Sequence, residues 1–308
     1  MPTREQPPEV VAALWAARET GLLDALLTEA DTPAAAADAA GVTERAAEVV
    51  VATMVEEGFL TRVDDGYEPT NRALGLLTTT DVRSIGETPH QLDVFGALCA
   101  LPETMTSGSA PERSDGWTRN ELGAAAALDE GTVRAIVTET LRPAADAADV
   151  LVMAGAPGRI ANAVADRDRS VTVVDGKDAI GVTKPLVRGR DVECVTAPVT
   201  ELPPERFDLA VAVDYTHRLP PDENRHLVAA AHDLLTRGGH LVLIDRLAGR
   251  SPGATALAVE ALATTEGGGT YSADQYRSWL RDGGFADVEV RDVPETDRQA
   301  VVARRPRD

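Results

Sequence analysis

Lysine is nearly absent from this 308-residue chain: only Lys177 and Lys184 are lysines, and arginine supplies the other 28 of its 30 basic residues. Acidic residues number 50, so the formal net charge is −20. A general nucleic-acid binder needs clustered Lys and Arg to contact phosphates, so this balance argues against nucleic acid as a partner. Because dense carboxylates repel one another unless salt screens them within about 3 Å at 1 M, we expect a halophilic protein, with an acidic mesophilic protein as the alternative.

Cysteine and long apolar segments are also scarce. Cys99 and Cys194 have neither C-x-x-C spacing nor flanking histidines, so we predict two buried thiols and no metal site. No stretch approaches the roughly 18 consecutive apolar residues of a membrane helix. Residues 1–9 lack the basic start and apolar core of a secretory leader, and we therefore expect a cytoplasmic protein with no membrane partner.

The amino-terminal part shows helical spacing of apolar residues. The length is about twice that of a usual domain, which predicts two structural units. Apolar residues from Pro8 to Leu27, interrupted at Thr20-Gly21, predict two short helices or one kinked helix. Thr32-Pro33 begins an alanine-rich helix that ends at Ala40, and Thr43 caps a third helix.

A strand, tight turn and strand around Asp64-Asp65-Gly66 follow the third helix. Three helices before a small hairpin predict an all-α winged-helix domain over residues 1–80. The third helix carries more acid than base, in the form of Glu44, Arg45, Glu48, Glu56 and Glu57. We therefore expect a dimerisation or substrate-lid module here rather than a reader of DNA.

The carboxyl-terminal part, residues 119–308, follows a predicted helical linker over residues 81–118. Its apolar strands alternate with helical segments, which predicts βαβ units and a doubly wound parallel sheet, the α/β Rossmann-like class. Two late strands, Asp287 to Val293 and Gln299 to Ala303, are predicted to pair antiparallel. The parallel strands are predicted at Val150 to Met153, Val171 to Val174, Val192 to Val195, Leu209 to Val213 and Leu241 to Ile244.

A glycine-containing turn, residues 153–158, follows the first of these strands. Gly155 and Gly158 there would let the backbone approach a nucleotide. The next strand ends at Asp175, whose carboxylate could accept hydrogen bonds from both ribose hydroxyls of a nucleoside. Together these features predict an adenosine site, and the alternative is that Asp175-Gly176 is only a loop turn.

Several segments, taken in order, resemble the S-adenosylmethionine-dependent O-methyltransferases of the caffeate and hydroxyindole type. The resemblance runs from about Pro8 to Arg304. It implies a winged-helix dimerisation domain joined to a Rossmann-like methyltransferase domain, S-adenosyl-L-methionine as cofactor, a small-molecule acceptor and a homodimer. Its carriers are Gly58-Phe59-Leu60, Phe207-Asp208-Leu209, His217, residues 234–241, residues 271–276 and Gly283-Gly284-Phe285.

The resemblance also implies roles for single residues. The family's general base falls on His217, and the carboxylate that braces it falls on Asp245. Methyl transfer to a hydroxyl needs a base of near-neutral pKa, and a carboxylate fixes the imidazole tautomer. Gly155 and Gly158 would then contact the cofactor through their backbone, and Asp175 would bind its ribose.

The chain departs from the family's pattern around the cofactor. Val152, Ala154 and Ala156 stand where the family has an acid and two glycines, and Pro198 stands near the position of its adenine contact. Leu262-Ala263 replaces a methionine pair that grips aromatic acceptors, and aromatic residues are only 4% of the chain. Two functions therefore stay open, an O-methyltransferase and a non-catalytic protein of the same fold that acts as cofactor sensor, regulator or scaffold.

Two further features have ordinary explanations. His226 and His232 lie six residues apart on one predicted helix, too far round it to share a metal, and we expect both to be solvated. Gly267-Gly268-Gly269 is interpreted as a loop over the acceptor pocket, because no lysine or helix start follows it as a phosphate cradle would need.

Overall fold

The computed structural model describes residues 6–77 and 81–307, and the chain divides into two compact units. One unit comprises residues 1–100 with 113–127, and the other comprises residues 101–112 with 128–308. This division differs from the predicted bounds of 1–80, 81–118 and 119–308, which stay a prediction. Residues 1–5, 78–80 and 308 lie outside the described residues. The predicted ranges include them, and so does the segment 1–9 that was compared with a secretory leader.

The first four α-helices begin and end close to the predicted signals, and further helices follow along the chain. They are α1 (Pro8–Glu19), α2 (Leu22–Thr28), α3 (Pro33–Ala40), α4 (Glu44–Glu56), α5 (Asn71–Leu77), α6 (Thr88–Cys99), α7 (Leu101–Ser107), α8 (Trp117–Ala126), α9 (Glu130–Leu141), α10 (Arg159–Ala165), α11 (Lys177–Leu186), α12 (Pro221–Leu234), α13 (Ala254–Thr264) and α14 (Ala273–Asp282).

The strands form two sheets. They are β1 (Leu60–Val63), β2 (Gly66–Pro69), β3 (Asp149–Met153), β4 (Ser170–Asp175), β5 (Val192–Thr196), β6 (Phe207–Val213), β7 (Leu235–Asp245), β8 (Ala286–Asp292) and β9 (Gln299–Arg304). β1 and β2 pair antiparallel as a hairpin, and the other strands form a seven-stranded sheet in the order β5-β4-β3-β6-β7-β9-β8.

Local capping explains the first helices. Gly21 has a φ of 76°, a left-handed conformation that glycine adopts easily, and it separates α1 from α2 as the Thr20-Gly21 signal predicted. The hydroxyl of Thr32 accepts a hydrogen bond from the Ala35 amide, and that of Thr43 accepts one from the Ala46 amide, both at 3.3 Å. These bonds satisfy amides that the first turns of α3 and α4 leave unpaired.

α4 buries one face and exposes the other. Its buried side chains belong to the core of the first unit, whereas its outward face carries the predominantly acidic set predicted from the sequence. The buried residues are Ala47, Val50, Val51 and Met54, and the exposed charged residues are Glu44, Arg45, Glu48 and Glu56.

A buried polar cluster explains why α8 belongs to the first unit. Asp93 on α6 accepts a hydrogen bond from Arg18 on α1 at 2.8 Å and another from Asn120 on α8 at 2.7 Å. Asp93 and Asn120 are both buried, so each must find polar partners inside the protein. The sequence offers no periodic pattern that would reveal this pairing of α6 with α8.

The seven-stranded sheet has the predicted Rossmann-like topology. β3 to β7 run parallel to one another, and β9 pairs antiparallel with both β7 and β8; the antiparallel pairing of the two late strands was predicted. Apolar side chains line both faces of the sheet, where α12 and α14 cover one core and α9 and α10 the other. Burial on both faces explains why the central strands are almost continuously apolar.

The prediction of two buried thiols is wrong. Cys99 is exposed at the end of α6, and Cys194 is half-buried on β5, a strand at the edge of the sheet. Both cysteines are free. Separately, none of the helices within residues 6–77 and 81–307 has the length and apolar character that crossing a membrane requires.

Candidate active site

Several parallel strands end at one edge of the seven-stranded sheet. In α/β sheets, ligands bind outside the carboxyl ends of the strands, so this edge is the place to look for a site. β6 and β7 are neighbours there, and a 3-10 turn, Thr216–Arg218, follows β6 and carries His217. The strands that end at this edge include β3 at Met153, β4 at Asp175, β6 at Val213 and β7 at Asp245.

The structure brings His217 and Asp245 into direct contact. Nδ1 of His217 lies 3.0 Å from Oδ1 and 3.1 Å from Oδ2 of Asp245. The backbone amide of His217 also donates to Oδ2 at 3.0 Å. Asp245 thus holds both the ring and the backbone of His217, which fixes the orientation of the imidazole.

Asp245 is buried and receives further hydrogen bonds. Only 1% of the residue is exposed. The Thr216 hydroxyl donates to Oδ2 at 2.7 Å, and the Arg246 amide donates to Oδ1 at 2.9 Å. Burial opposes ionisation, but the His217 imidazole and these donors outweigh it and hold the pKa of Asp245 below its usual value.

An ionised Asp245 determines which nitrogen of His217 carries the proton. A carboxylate only accepts hydrogen bonds, so Nδ1 of His217 must donate to it. The neutral ring then presents a lone pair at Nε2. The His217 side chain is 12% exposed, so this nitrogen belongs to a ring that is mostly enclosed by protein. Such a nitrogen can take a proton from a bound hydroxyl.

The glycine run predicted to form a loop packs against the backbone of His217. The Gly269 amide donates to the His217 carbonyl at 2.8 Å. A Cβ on Gly268 would lie 2.4 Å from that carbonyl oxygen and 2.6 Å from Oγ1 of Thr265, so only glycine fits there. Whether an acceptor binds beneath this loop stays a prediction.

The two glycines of the nucleotide-type turn are required by the protein's own packing. A Cβ on Gly155 would lie 2.7 Å from Cγ1 of Val152, and one on Gly158 would lie 2.6 Å from Cγ1 of Val187. Gly158 also has a φ of 89°. Close packing of the turn is one of the established uses of glycine in nucleotide-binding loops. Residues 154–156 of the turn are half-buried at the sheet edge.

Asp175 lies against this turn. Its Oδ2 accepts from the Ala156 amide at 3.1 Å, and its Oδ1 accepts from the Gly176 amide at 2.7 Å. Each carboxylate oxygen has two lone pairs, so both keep capacity for another donor. Burial and the Asp175 charge raise the pKa of the Tyr215 phenol, which precedes the His217 turn.

Sequence reasoning missed an ion pair at the same edge. Nε and Nη2 of Arg298 bind the carboxylate of Asp214 at 2.7–2.9 Å. Burial alone would lower the pKa of Arg298. The carboxylates of Asp214, Asp297 and Asp245 have the larger combined effect and raise this pKa above its usual value, so the guanidinium stays charged. Asp214, which directly follows the end of β6, was the only sequence signal of this ion pair. Arg298 lies 84 residues further along the chain, and no pattern in the sequence marked it as the partner.

Two other contacts of the site also escaped prediction. Thr216 binds Asp245, and the Tyr276 hydroxyl lies 2.5 Å from Oγ1 of Thr216. Thr216 is adjacent to the predicted base, whereas Tyr276 lies on α14, 60 residues further along the chain. A tyrosine on the apolar face of a helix is ordinarily only a core residue, so the sequence could not distinguish it.

The remaining histidines of the predicted helix do not form a site. His226 is exposed, whereas His232 is half-buried with its ring 5.2 Å from the ring of Phe285. The expectation that both are solvated is therefore right for His226 only, because the Phe285 ring covers His232. Within the described ranges, no group of three or more His, Cys, Asp or Glu residues is placed to hold a metal ion.

Comparison with known proteins adds evidence on the fold. No protein-family model and no curated protein sequence matches the chain. Human N-acetylserotonin methyltransferase in complex with SAM is similar in structure, with 18% sequence identity, coverage of 99% of this chain and 100% of that chain, and a TM-score of 0.68.

Two further methyltransferase structures are similar to a comparable degree. An O-methyltransferase family protein from Burkholderia thailandensis is 21% identical, with 97% of this chain and 95% of that chain covered and a TM-score of 0.71. The mitomycin 7-O-methyltransferase is 17% identical, with 96% and 94% covered and a TM-score of 0.70. These likenesses confirm, for the fold, the resemblance to hydroxyindole- and caffeate-type methyltransferases, and the chain has a Rossmann-like methyltransferase fold.

Proposed function

We propose that this protein transfers the methyl group of S-adenosyl-L-methionine to a hydroxyl of a small organic acceptor, with His217 as general base. The observation that carries the proposal is the imidazole of His217 held by the buried Asp245 carboxylate at the ligand-binding edge of the sheet. The structural neighbours support the cofactor, because human N-acetylserotonin methyltransferase is described in complex with SAM and another neighbour, PigF, with SAH.

Two residues of this chain would remove the proton of the acceptor hydroxyl and stabilise the charge that results. Nε2 of His217 would take the proton of the acceptor hydroxyl as its oxygen attacks, and Asp245 would stabilise the imidazolium that forms. The cofactor supplies an electrophilic methyl group on a sulfonium. A positioned base contributes about 10²- to 10⁴-fold to the rate of such a step.

The residues at the carboxyl ends of β3 and β4 are compatible with an adenosine. Asp175 keeps a free lone pair on each oxygen, and a carboxylate with that capacity can accept from two ribose hydroxyls. Residues 154–156 are partly accessible beside it, and Gly155 and Gly158 let their backbone pack closely. Asp175 would hold the ribose, and the turn would contact the rest of the cofactor.

Calorimetric titration of S-adenosylmethionine and its demethylated product tests the cofactor. In 2 M KCl we expect both to bind, and Asp175→Ala to weaken binding about 10- to 100-fold through loss of a charge-assisted hydrogen bond. Asp178→Ala is the matched control, because Asp178 is an exposed acid three residues away on α11. Absence of binding at millimolar ligand would overturn the proposal.

A second candidate function is a non-catalytic sensor, regulator or scaffold. It is favoured by the sequence at the end of β3 and in the turn after it, where Val152, Ala154 and Ala156 stand in place of the acid and two glycines that the resemblance implies. Binding of the cofactor without any turnover, unchanged by His217→Ala, would support a sensor. No binding of the cofactor at all would support a scaffold.

The amino-terminal unit is proposed to be a winged-helix dimerisation module of a cytoplasmic, halophilic homodimer. The order of α1 to α4 before the β1–β2 hairpin supports the winged helix. Val49 on α4 is 57% exposed and Val63 on β1 is 38% exposed, and these are aliphatic side chains that the proposed homodimer would cover. Sedimentation in high salt that gives a monomer at every concentration would refute the dimer.

A further inference from the structure

A chain of hydroxyl groups lies behind the His217–Asp245 pair. The Tyr276 hydroxyl is 2.5 Å from Oγ1 of Thr216, and Thr216 is 2.7 Å from Oδ2 of Asp245. Thr216 is 1% and Tyr276 2% exposed, so neither hydroxyl can exchange its partner for water. The two hydroxyls therefore form a fixed, dry connection from α14 to the carboxylate.

The direction of the protons follows from the acceptor. Asp245 is an ionised carboxylate and cannot donate, so the single proton of Thr216 points at it. The oxygen of Thr216 then accepts, and the Tyr276 phenol must donate to it. Burial, together with the nearby Asp245 charge, raises the pKa of Tyr276 well above its usual value, so the phenol keeps its proton.

We propose that Thr216 and Tyr276 are positioning residues that lower the basicity of His217 by sharing the charge of Asp245. A carboxylate that donates less of its charge to the imidazole stabilises the imidazolium less. The Tyr276 bond polarises the Thr216 hydroxyl and strengthens its bond to Asp245. His217 would thereby stay neutral, and able to take a proton, at a lower pH. This inference rests on the proposed role of His217 as base.

Other charged groups face the pair but do not replace this connection. The charge of Asp245 acts on Arg298, whose own hydrogen bonds go to Asp214. The Arg246 side chain binds Asp297, although its amide donates to Asp245. Tyr271 also feels the Asp245 charge, but its hydroxyl donates to the Leu219 carbonyl. Among the described residues, the side chains that hydrogen-bond to the Asp245 carboxylate are those of His217 and Thr216.

Nuclear magnetic resonance of the ring nitrogens tests the proposal on the intact protein without any cofactor. The five histidines are labelled with ¹⁵N, and His217 is assigned from the signal that His217→Gln removes. Thr216→Val should raise the pKa of His217 by about half a unit or more, since a hydrogen bond to a charged group is lost. Tyr276→Phe should raise it by a smaller amount, about 0.1 units, because polarisation strengthens the Thr216 bond by only about 10–30%.

Two variants serve as controls. Thr216→Ser keeps the hydroxyl and should keep the wild-type pKa. Tyr271→Phe removes a phenol from the same aromatic cluster, whose ring centroid is 6.3 Å from that of Tyr276, and should also leave the pKa unchanged. If Thr216→Val does not fold, Tyr276→Phe and Thr216→Ser decide the outcome.

The proposal is overturned if Tyr276→Phe leaves the pKa of His217 unchanged or lowers it, or if Thr216→Ser shifts it as much as Thr216→Val. Failure of the proposed methyl transfer is a separate result, because the titration needs no turnover. If the protein is active, the acidic limb of its kcat/KM profile should move to higher pH in the same variants.

Discussion

Replacing Asp245 with asparagine should damage both stability and catalysis. Asp245 accepts hydrogen bonds from the Thr216 hydroxyl, the His217 and Arg246 amides and the His217 ring. An asparagine amide nitrogen is a donor, so it must face at least one of these donors. One or two buried donors would lose their acceptor, at a cost of about 2 to 4 kcal/mol in the free energy of unfolding.

The activity should fall for a related reason. If the amide nitrogen of the introduced asparagine faces His217, Nδ1 of the ring must accept, and the ring proton moves to Nε2. That nitrogen could then no longer take a proton from the acceptor. We expect kcat/KM to fall about 10²- to 10⁴-fold, the usual contribution of a general base.

The stability difference should also depend on pH with a defined sign. The folded-state pKa of Asp245 lies below its unfolded value, so its charge stabilises the protein above about pH 4 and this contribution is lost as the pH falls through the folded-state pKa. The difference between wild type and Asp245→Asn in chemical unfolding should be full at pH 7 and shrink below about pH 4.

Asp292→Asn is the matched control, because Asp292 is an exposed acid at the end of β8 that pairs with Arg250. Exposed ion pairs of this kind contribute little. The reasoning about Asp245 would be refuted if Asp245→Asn kept wild-type activity, or if its loss of stability were the same at pH 7 and pH 3.

Three further predictions concern the glycine run, a helix cap and the surface charge. Gly268→Ala should lower kcat/KM, because the added Cβ would lie 2.4 Å from the His217 carbonyl oxygen. Gly269→Ala should leave kcat/KM unchanged, because a Cβ there meets nothing within 4 Å, and equal effects of the two variants in a turnover assay would contradict this. Thr43→Ala should lower the unfolding free energy by about 1 kcal/mol and Thr43→Ser should not, since the Thr43 hydroxyl caps α4. The thermal midpoint should rise between 0.1 and 2 M KCl because the net charge is −20, and a midpoint that falls would exclude halophilic adaptation.

Local signals account for most of the fold that was predictable. The caps at Thr32 and Thr43 and the break at Gly21 act within one turn of helix, and the structure contains each of them. The central strands are apolar because both faces of the sheet are covered. α11 escaped a specific prediction, since Gly181 and Pro185 lie inside it and both residues disfavour helix interiors.

The strand pattern predicted the edge of the sheet, but not which residues would form the site there. The roles of His217 and Asp245 were expected only from the resemblance to the methyltransferase family; Asp245 ends β7 and His217 follows β6, and the sheet register brings these two strand ends together. Tyr276 and Arg298 arrive from distant segments whose approach depends on tertiary packing. Gly155 and Gly158 were visible in the sequence, but their close packing against Val152 and Val187 depends on the folded structure and was not.

The central claim is that His217 removes a proton during methyl transfer, and the most direct measurement is product formation by wild type and His217→Ala. Both proteins are incubated with S-adenosylmethionine and a panel of small phenols and alcohols in 2 M KCl, and the demethylated cofactor is quantified by mass spectrometry. We expect acceptor-dependent product from wild type, a loss of about 10²- to 10⁴-fold in His217→Ala, and equal cofactor affinity in both. Equal turnover by the two proteins, or an equal loss of cofactor affinity in His217→Ala and Asp175→Ala, would contradict the assignment.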